Sequence, residues 1–315
     1  MRKRRNLIIV SLCSIVIICS YSTGPKSPFS KKQTAEGIEL SENGKTVFFY
    51  QKEPKKASEK YSFNNYLHPV YNLIGEIITE EFPPDHLNHR GIFWAWHQLY
   101  IDNKNIGDGW MMEYISEDVT DVKTKINRKN AQLNARVLWK SSLWQNGKPF
   151  IEEETSIIVH RTEDNTRKID FEIKLIPLTV GVQIGGSDDE KGYGGFCVRL
   201  KMPESLVFTS EKGCVKPQNL QIKSGPWMDF SAIFGKSDEK SGLTILCHPS
   251  VPNYPAPWII RQTGSMQNIV FPGRQRIRID KPLVLRYRVI IHNGDTLSLN
   301  IDKLQSEYYK LSLRK

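Results

Sequence analysis

Beyond residue 20 the chain has no run of about 18 consecutive apolar residues, so nothing there suits a membrane-crossing helix. It is poor in cysteine. Of five in 315 residues, only Cys197, Cys214 and Cys247 lie beyond position 20. Their spacing fits no zinc motif, an odd number allows at most one disulfide, and buried apolar thiols are the plainer reading. A concentrated basic patch is also missing. Lys and Arg outnumber Asp and Glu 44 to 34, but the excess is spread along the chain, and removing Arg2, Lys3, Arg4 and Arg5 leaves about +6 of the formal +10. That balance argues against a nucleic-acid partner. No convincing amphipathic helix exceeds three turns, and the best short candidate is the tail, Lys303 to Leu311. Finally, no carboxylate pair carries a glycosidase signature. Asp108 with Glu113, or Glu152 to Glu154, are candidates without a diagnostic spacing.

What is present begins at the N-terminus. Arg2-Lys3-Arg4-Arg5 is followed by an apolar run from Leu7 to Ile18 and then Cys19-Ser20. The length is that of a signal-peptide core, too short to span a bilayer comfortably. Residues 1–19 read as a lipoprotein-type signal with acylation at Cys19, or alternatively as a plain N-terminal anchor. Both imply an exported, membrane-tethered protein of the bacterial periplasm or cell surface. Residues 20–35 are rich in Ser, Lys, Gly and Pro and read as a flexible tether. The remainder, 36–315, reads as one domain. Period-two alternation dominates it. Thr155 to His160 and Lys168 to Leu175 flank the turn Glu163-Asp164-Asn165-Thr166, and Leu285, Tyr287, Val289 and Ile291 alternate along another strand. Many short strands and few helices predict an all-β fold, a large antiparallel β-sandwich.

Chemistry-bearing residues concentrate in one block. His68, His86, His89 and His97 are four of the seven histidines, and the last three share 13 residues with Asp85, Arg90, Trp94 and Trp96. Imidazole suits both proton transfer near neutral pH and metal binding. Pro83-Pro84 argues against a helix, so the block is not the zincin motif. Three readings stay open. One divalent metal could be held by His86 and His89 with His68, Asp85 or His248. A metal-free site could use His86 or His89 as acid or base, oriented by Asp85. Or these histidines hydrogen-bond loops at the edge of the sandwich. Arg90 offers a fork of donors for hydroxyls or a carboxylate, or else an internal salt bridge to Glu76, Glu80 or Glu81. Trp94, Trp96 and Trp110 could stack on sugar rings, or pack in the core. Trp94 and Trp96 share one face by alternation and Phe93 and Ala95 the other, so at least one of these aromatics is structural. Gly192-Tyr193-Gly194-Gly195 lacks a P-loop lysine, and Tyr193 could serve as a donor or acid. The Pro-rich loop from His248 to Trp258 could hold both of those residues still at a site.

At Tyr66-Leu67-His68-Pro69-Val70-Tyr71, Asp85-His86-x-x-His89-Arg90-Gly91, Phe93-Trp94, Trp110, Gly192 to Phe196, His248-Pro249, Pro257-Trp258 and Arg286-Tyr287-Arg288 the chain resembles the PmoA-like family of exported bacterial proteins, labelled "methane oxygenase PmoA". Leu87 and Asn88 replace the Pro and His of that family's Asp-His-Pro-His-His-Arg-Gly. The resemblance covers roughly residues 40–300. The methane label conflicts with the missing membrane spans. The resemblance implies a galactose-mutarotase-like supersandwich and a place among polysaccharide-degradation genes. It points to a lyase or hydrolase acting on a glycoside, including an oxidised 3-keto glycoside, or to a non-catalytic glycan-binding lipoprotein. His68, Asp85, His86, His89 and Arg90 are expected to converge in one pocket, with His248 and Trp258 on its opposite wall.

Overall fold

The computed structural model describes residues 27–311, so the signal segment and Cys19 lie outside the described residues. Two antiparallel sheets face one another. Sheet I has eight strands in the order Phe29–Gln33, Gly37–Glu42, Lys45–Gln51, Tyr66–Val70, Ile92–Trp96, Gly194–Val198, Gln267–Val270 and Trp258–Ile259. Sheet II has nine, in the order Ile115–Ile126, Asn130–Ser141, Pro149–His160, Thr166–Pro177, Leu283–Asn293, Ser241–Cys247, Trp227–Ala232, Val207–Ser210 and Gly213–Cys214. A smaller sheet pairs Ile277–Arg278, Val182–Gly185, Gln98–Ile101 and Lys104–Gly107. The expected all-β sandwich is what the chain forms. No helix among the described residues is long and apolar enough to cross a membrane.

Alternation sets the faces of sheet II. Leu133 pairs with Ile157, Ile157 with Phe171, Phe171 with Tyr287 and Tyr287 with Cys247, which makes one apolar row across five strands. All five are buried in the core between the sheets. Each fully buried aliphatic or aromatic side chain of this kind contributes about 1.5–3 kcal/mol. The residues one step along face outward: Gln132, Ile158, Asp170 and Arg288 form the adjacent row. The turn between the third and fourth strands is the one read from sequence. Asp164 and Asn165 both take positive φ, 50° and 56°, the demand of a tight hairpin that Asp and Asn meet well.

One helix, Ile301–Leu311, lies on the outer face of sheet II, where Ile301, Leu304 and Tyr308 cover Trp227, Leu246 and Ile290. It begins two residues earlier than the tail segment read from sequence. The tether is shorter than expected. Phe29–Gln33 pairs in register with Gly37–Glu42 and buries Phe29, so the domain starts before residue 36. Its lysines are polar because they lie on an edge strand with one exposed face. Cys197 and Cys247 are buried free thiols as expected, whereas Cys214 is exposed on an edge hairpin.

Candidate active site

Sheet I has an inner face toward the core and an outer face roofed by loops. Along Ile92–Trp96, Trp94 and Trp96 point inward and Phe93 and Ala95 outward. Phe63, Tyr66, Phe93, Trp110, Cys197 and Met266 form a second apolar cluster on that outer face. The loop 82–91 lies across this cluster and is closed by its own backbone. Phe82 N donates to His89 O at 2.8 Å, His86 N to Pro83 O at 2.9 Å and His89 N to His86 O at 3.0 Å. Gly91 ends the loop at φ +44°. A Cβ there would lie 1.9 Å from the carbonyl oxygen of Leu67, so only glycine lets the two backbones meet.

The loop presents an imidazole pair. The His86 and His89 rings stack 4.4 Å apart, 5° from parallel. His86 Nδ1 lies 3.1 Å from Asp85 Oδ2, and both side chains are about two-fifths exposed, 43% and 41%. A carboxylate only accepts, so Asp85 holds the proton on Nδ1 and leaves Nε2 as the basic atom. Behind the pair runs Arg199, whose side chain is 5% exposed. Its Nε donates to Glu80 Oε2 at 2.9 Å, Nη1 to the Ser265 carbonyl at 2.7 Å and Nη2 to Asp85 Oδ1 at 3.3 Å. Nη1 also approaches His89 Nδ1 at 3.4 Å; a guanidinium cannot accept, so that nitrogen carries the lone pair.

The charges follow from this packing. Burial pushes the His89 imidazole down to about 2, with the neighbouring His86 and Arg199 acting in the same sense, so His89 stays neutral. Burial pulls Asp85 upward, but the hydrogen bond from His86 and the Arg199 charge outweigh it and hold the carboxyl below its ordinary range. The arrangement is an ionised carboxylate fixing an accessible imidazole, with a neutral imidazole stacked beneath it. Such an arrangement is able to accept a proton from a bound molecule at Nε2.

The same face carries more. Tyr193 Oη accepts from Arg261 Nη2 at 2.9 Å and Nε at 3.0 Å, and lies 3.5 Å from Ser265 Oγ. Trp110, stacked on His97 at 4.9 Å, sits beside Tyr193 with 5.8 Å between ring centroids. His97 Nδ1 lies 2.8 Å from Asp108 Oδ2. Asp85, His86, His89 and Tyr193 therefore lie on one face, linked through Arg199 and the segment around Ser265, and the pocket expected with His248 and Trp258 on its far wall is not what the structure forms.

Other expected members are elsewhere. Trp94 and Trp96 are 2% and 0% exposed in the core, and Trp96 Nε1 donates to Phe271 O at 2.7 Å, so neither can stack on a ligand. Trp258 is 0% exposed and donates to Gly225 O at 2.9 Å. Trp110 is on the right face but 3% exposed, a support rather than a platform. Arg90 is buried, 2% exposed, and its side chain forms no ion pair with Glu76, Glu80 or Glu81, although its backbone bridges to Glu81. Its guanidinium lies between the rings of Phe63 and Phe93, 4.3 Å from each, and Nη1 donates to Asn88 O at 2.9 Å. Burial lowers it to about 10. Cation–π packing holds it, and the buried Glu117 carboxylate is the nearest charge that favours its protonated form. Glu80 pairs with Arg199, Glu81 with Lys55 and Tyr66, and Glu76 binds Asn72 and Ser237.

Of the histidines expected as metal ligands, His86 and His89 stack together, but His68 and His248 do not join them as ligands of one ion. His68 Nδ1 meets Thr79 Oγ1 at 2.9 Å, and burial lowers its imidazole to about 4. His248 follows a strand of sheet II and packs against Tyr308, 5.1 Å between ring centroids. Among the described residues no group of three His, Cys, Asp or Glu side chains is placed to hold a metal ion. The Arg199 guanidinium already lies between Asp85 and His89, where a cation would have to sit. The donor set does not fit a divalent metal. The sequence reading missed Arg199, Glu80 and Arg261. Arg199 carries a readable signal: it follows the glycine-rich strand two places after the outward-facing Cys197, so alternation puts it on the same face.

The chain belongs to the family of unknown function DUF6807, whose profile matches residues 37–306. No curated protein matches it significantly. Among solved structures it is similar to a heparinase III gene product at 11% identity and TM-score 0.30, over 86% of this chain and 35% of that one. A form of that protein with methylated lysines gives 10% identity and TM-score 0.27, over 82% and 30%. The chain thus spans about a third of the length of the structures it matches.

Proposed function

We propose that the outer face of sheet I is the active site of a carbohydrate-active protein, a lyase or hydrolase in which His86 is the general base and Asp85 its positioning residue. The observation that carries this reading is the His86–Asp85 pair itself: the proton is fixed on Nδ1 and Nε2 is left free at an accessible surface. A histidine-based, carboxylate-poor site suits removal of a proton beside a carbonyl better than the two-carboxylate mechanism of most glycosidases. The substrate class is a glycoside oxidised to a 3-keto sugar. His86 Nε2 takes the C2 proton, the C–H electron pair forms the enolate, and the enolate expels the C1 oxygen. The imidazolium returns the proton to the departing alcohol, so no oxidant or reductant is consumed. Arg199 holds the Asp85 carboxylate anionic from behind.

The same proposal includes export and acylation at Cys19, with the membrane reached through the lipid. Mass spectrometry of the native N-terminus tests this: an intact Met1, or an unmodified Ser20 end, contradicts it. The catalytic reading is tested by product analysis of a 3-keto glucoside incubated with the wild type and with His86→Ala. The variant should lose at least about 100-fold in turnover while still binding the glycoside. Turnover at the wild-type rate in the variant would move the chemistry off this face.

A further inference from the structure

The outer face of sheet II holds a recess of about 890 Å³, in the upper part of the roughly 300–1,000 Å³ range of small-molecule sites. The helix Ile301–Leu311 covers one part of this face and leaves the recess open beside it. Its floor is built from outward positions of the longest strands. Gln132 Nε2 donates to both Asn134 Oδ1 and Ser156 Oγ at 2.9 Å, which leaves the Asn134 amide N–H groups free to donate outward. At the helix end, Asp170 takes Arg288 Nη2 at 2.8 Å and His160 Nε2 at 2.7 Å, and the Tyr308 ring lies 4.5 Å over that guanidinium. Tyr308 is 5% exposed, lines the recess, and its buried hydroxyl has no hydrogen-bond partner. An orphaned buried hydroxyl costs about 1–3 kcal/mol unless something supplies the bond.

The charges around the recess cancel locally. Lys174 pairs with Glu154 at 2.9 Å, Arg286 with Glu172 at 2.8 Å, Lys123 with Asp121 at 2.7 Å and Arg136 with Glu152 at 2.8 Å. Nothing is left over to recruit an ion. The floor instead offers many donors and acceptors in a shallow trough across five strands, roughly 19 Å wide at about 4.8 Å per strand. A solvated sheet face of ordinary shape would present the same residues without a cavity.

We propose that this recess binds a neutral oligosaccharide chain laid across the strands, as a substrate-holding site on the opposite sheet from His86. The proposal shares a ligand class with the catalytic reading but none of its residues, so the two can fail separately. The probes are neutral hexasaccharides of gluco, xylo, manno and galacto configuration, with the hexamer of galacturonic acid as the charged counterpart, titrated into the whole protein by calorimetry. At least one neutral hexasaccharide should bind at about 1 mM or below, with little change between low and high salt. The double substitution Asn134→Ala/Ser156→Ala, at two half-buried outward positions, should weaken binding about tenfold or more. Ile158→Arg, which fills the trough from a half-buried position, should abolish it, and His86→Ala should leave it unchanged. The proposal is overturned if no neutral hexasaccharide binds, if only the galacturonate does, or if binding survives both recess variants in folded protein.

Discussion

Glu117 and Glu153 are buried together between the sheets, 6% and 0% exposed, and Asn65 Nδ2 bridges them at 3.1 Å to each. Glu153 also receives Thr155 Oγ1 at 2.6 Å and Trp139 Nε1 at 3.0 Å, so it is the better solvated of the two. Burial, and then the neighbouring Glu153, push Glu117 up to about 8 from 4.5. The folded protein therefore keeps a proton that the unfolded chain has released anywhere between those two values. Stability from this pair is complete below the unfolded pKa and falls as pH rises, at about 1.4 kcal/mol per pH unit, until it is gone near the folded value. Over the whole interval that amounts to about 5 kcal/mol. His68 and His89 act in the opposite sense. Their folded values lie below the ordinary histidine value, so they remove stability as pH falls below about 6.5. The difference between the wild type and Glu117→Gln isolates the carboxyl. Urea unfolding at pH 5, 6, 7 and 8 should show the two proteins similar at pH 5 and the variant increasingly favoured toward pH 8, by several kcal/mol. A difference that stays constant across the four pH values would refute the buried proton.

Gly91→Ala forces a Cβ onto the Leu67 carbonyl at a positive φ, and should cost about 3 kcal/mol or more in thermal unfolding; a loss under about 0.5 kcal/mol would contradict the close approach. Arg199→Met removes the charge shared by Glu80, Asp85 and His89. It should destabilise by about 1–2 kcal/mol, since the carboxylates left behind are partly exposed, and raise the His89 imidazole somewhat in an NMR titration; an unmoved His89 would remove Arg199 from the electrostatic account. Trp94→Phe should lower stability without altering saccharide binding, whereas a specific loss of binding would place Trp94 at a ligand after all. Asp85→Asn should lower kcat far more than it raises KM, because it releases the His86 tautomer and leaves the surface intact.

The sandwich was legible because alternation is a local property. Lys168 to Leu175 shows its two faces without knowledge of the partner strand, and Asp164-Asn165 announces its turn. The convergence of Asp85, His86 and His89 was legible for a similar reason: the loop that carries them is short and closes on itself. What was hidden depends on long-range pairing. Arg199 reaches Glu80 across 119 positions, and no local pattern ties the two together. Trp258 and His248, ten residues apart, end on different sheets because the chain crosses from one to the other between them. Arg90 looked like a ligand-facing cation because its neighbours in sequence are polar, while its neighbours in space are Phe63 and Phe93.

Proton exchange at the reacting carbon tests the central claim most directly. A 3-keto glucoside incubated with the protein in deuterium oxide, followed by proton NMR, reports abstraction at C2 whether or not the leaving group departs. The account predicts loss of the C2 proton signal at a rate well above the protein-free control, abolished by His86→Ala and retained by Asn134→Ala/Ser156→Ala. No exchange above the control with the wild type, or exchange undiminished in His86→Ala, would contradict it.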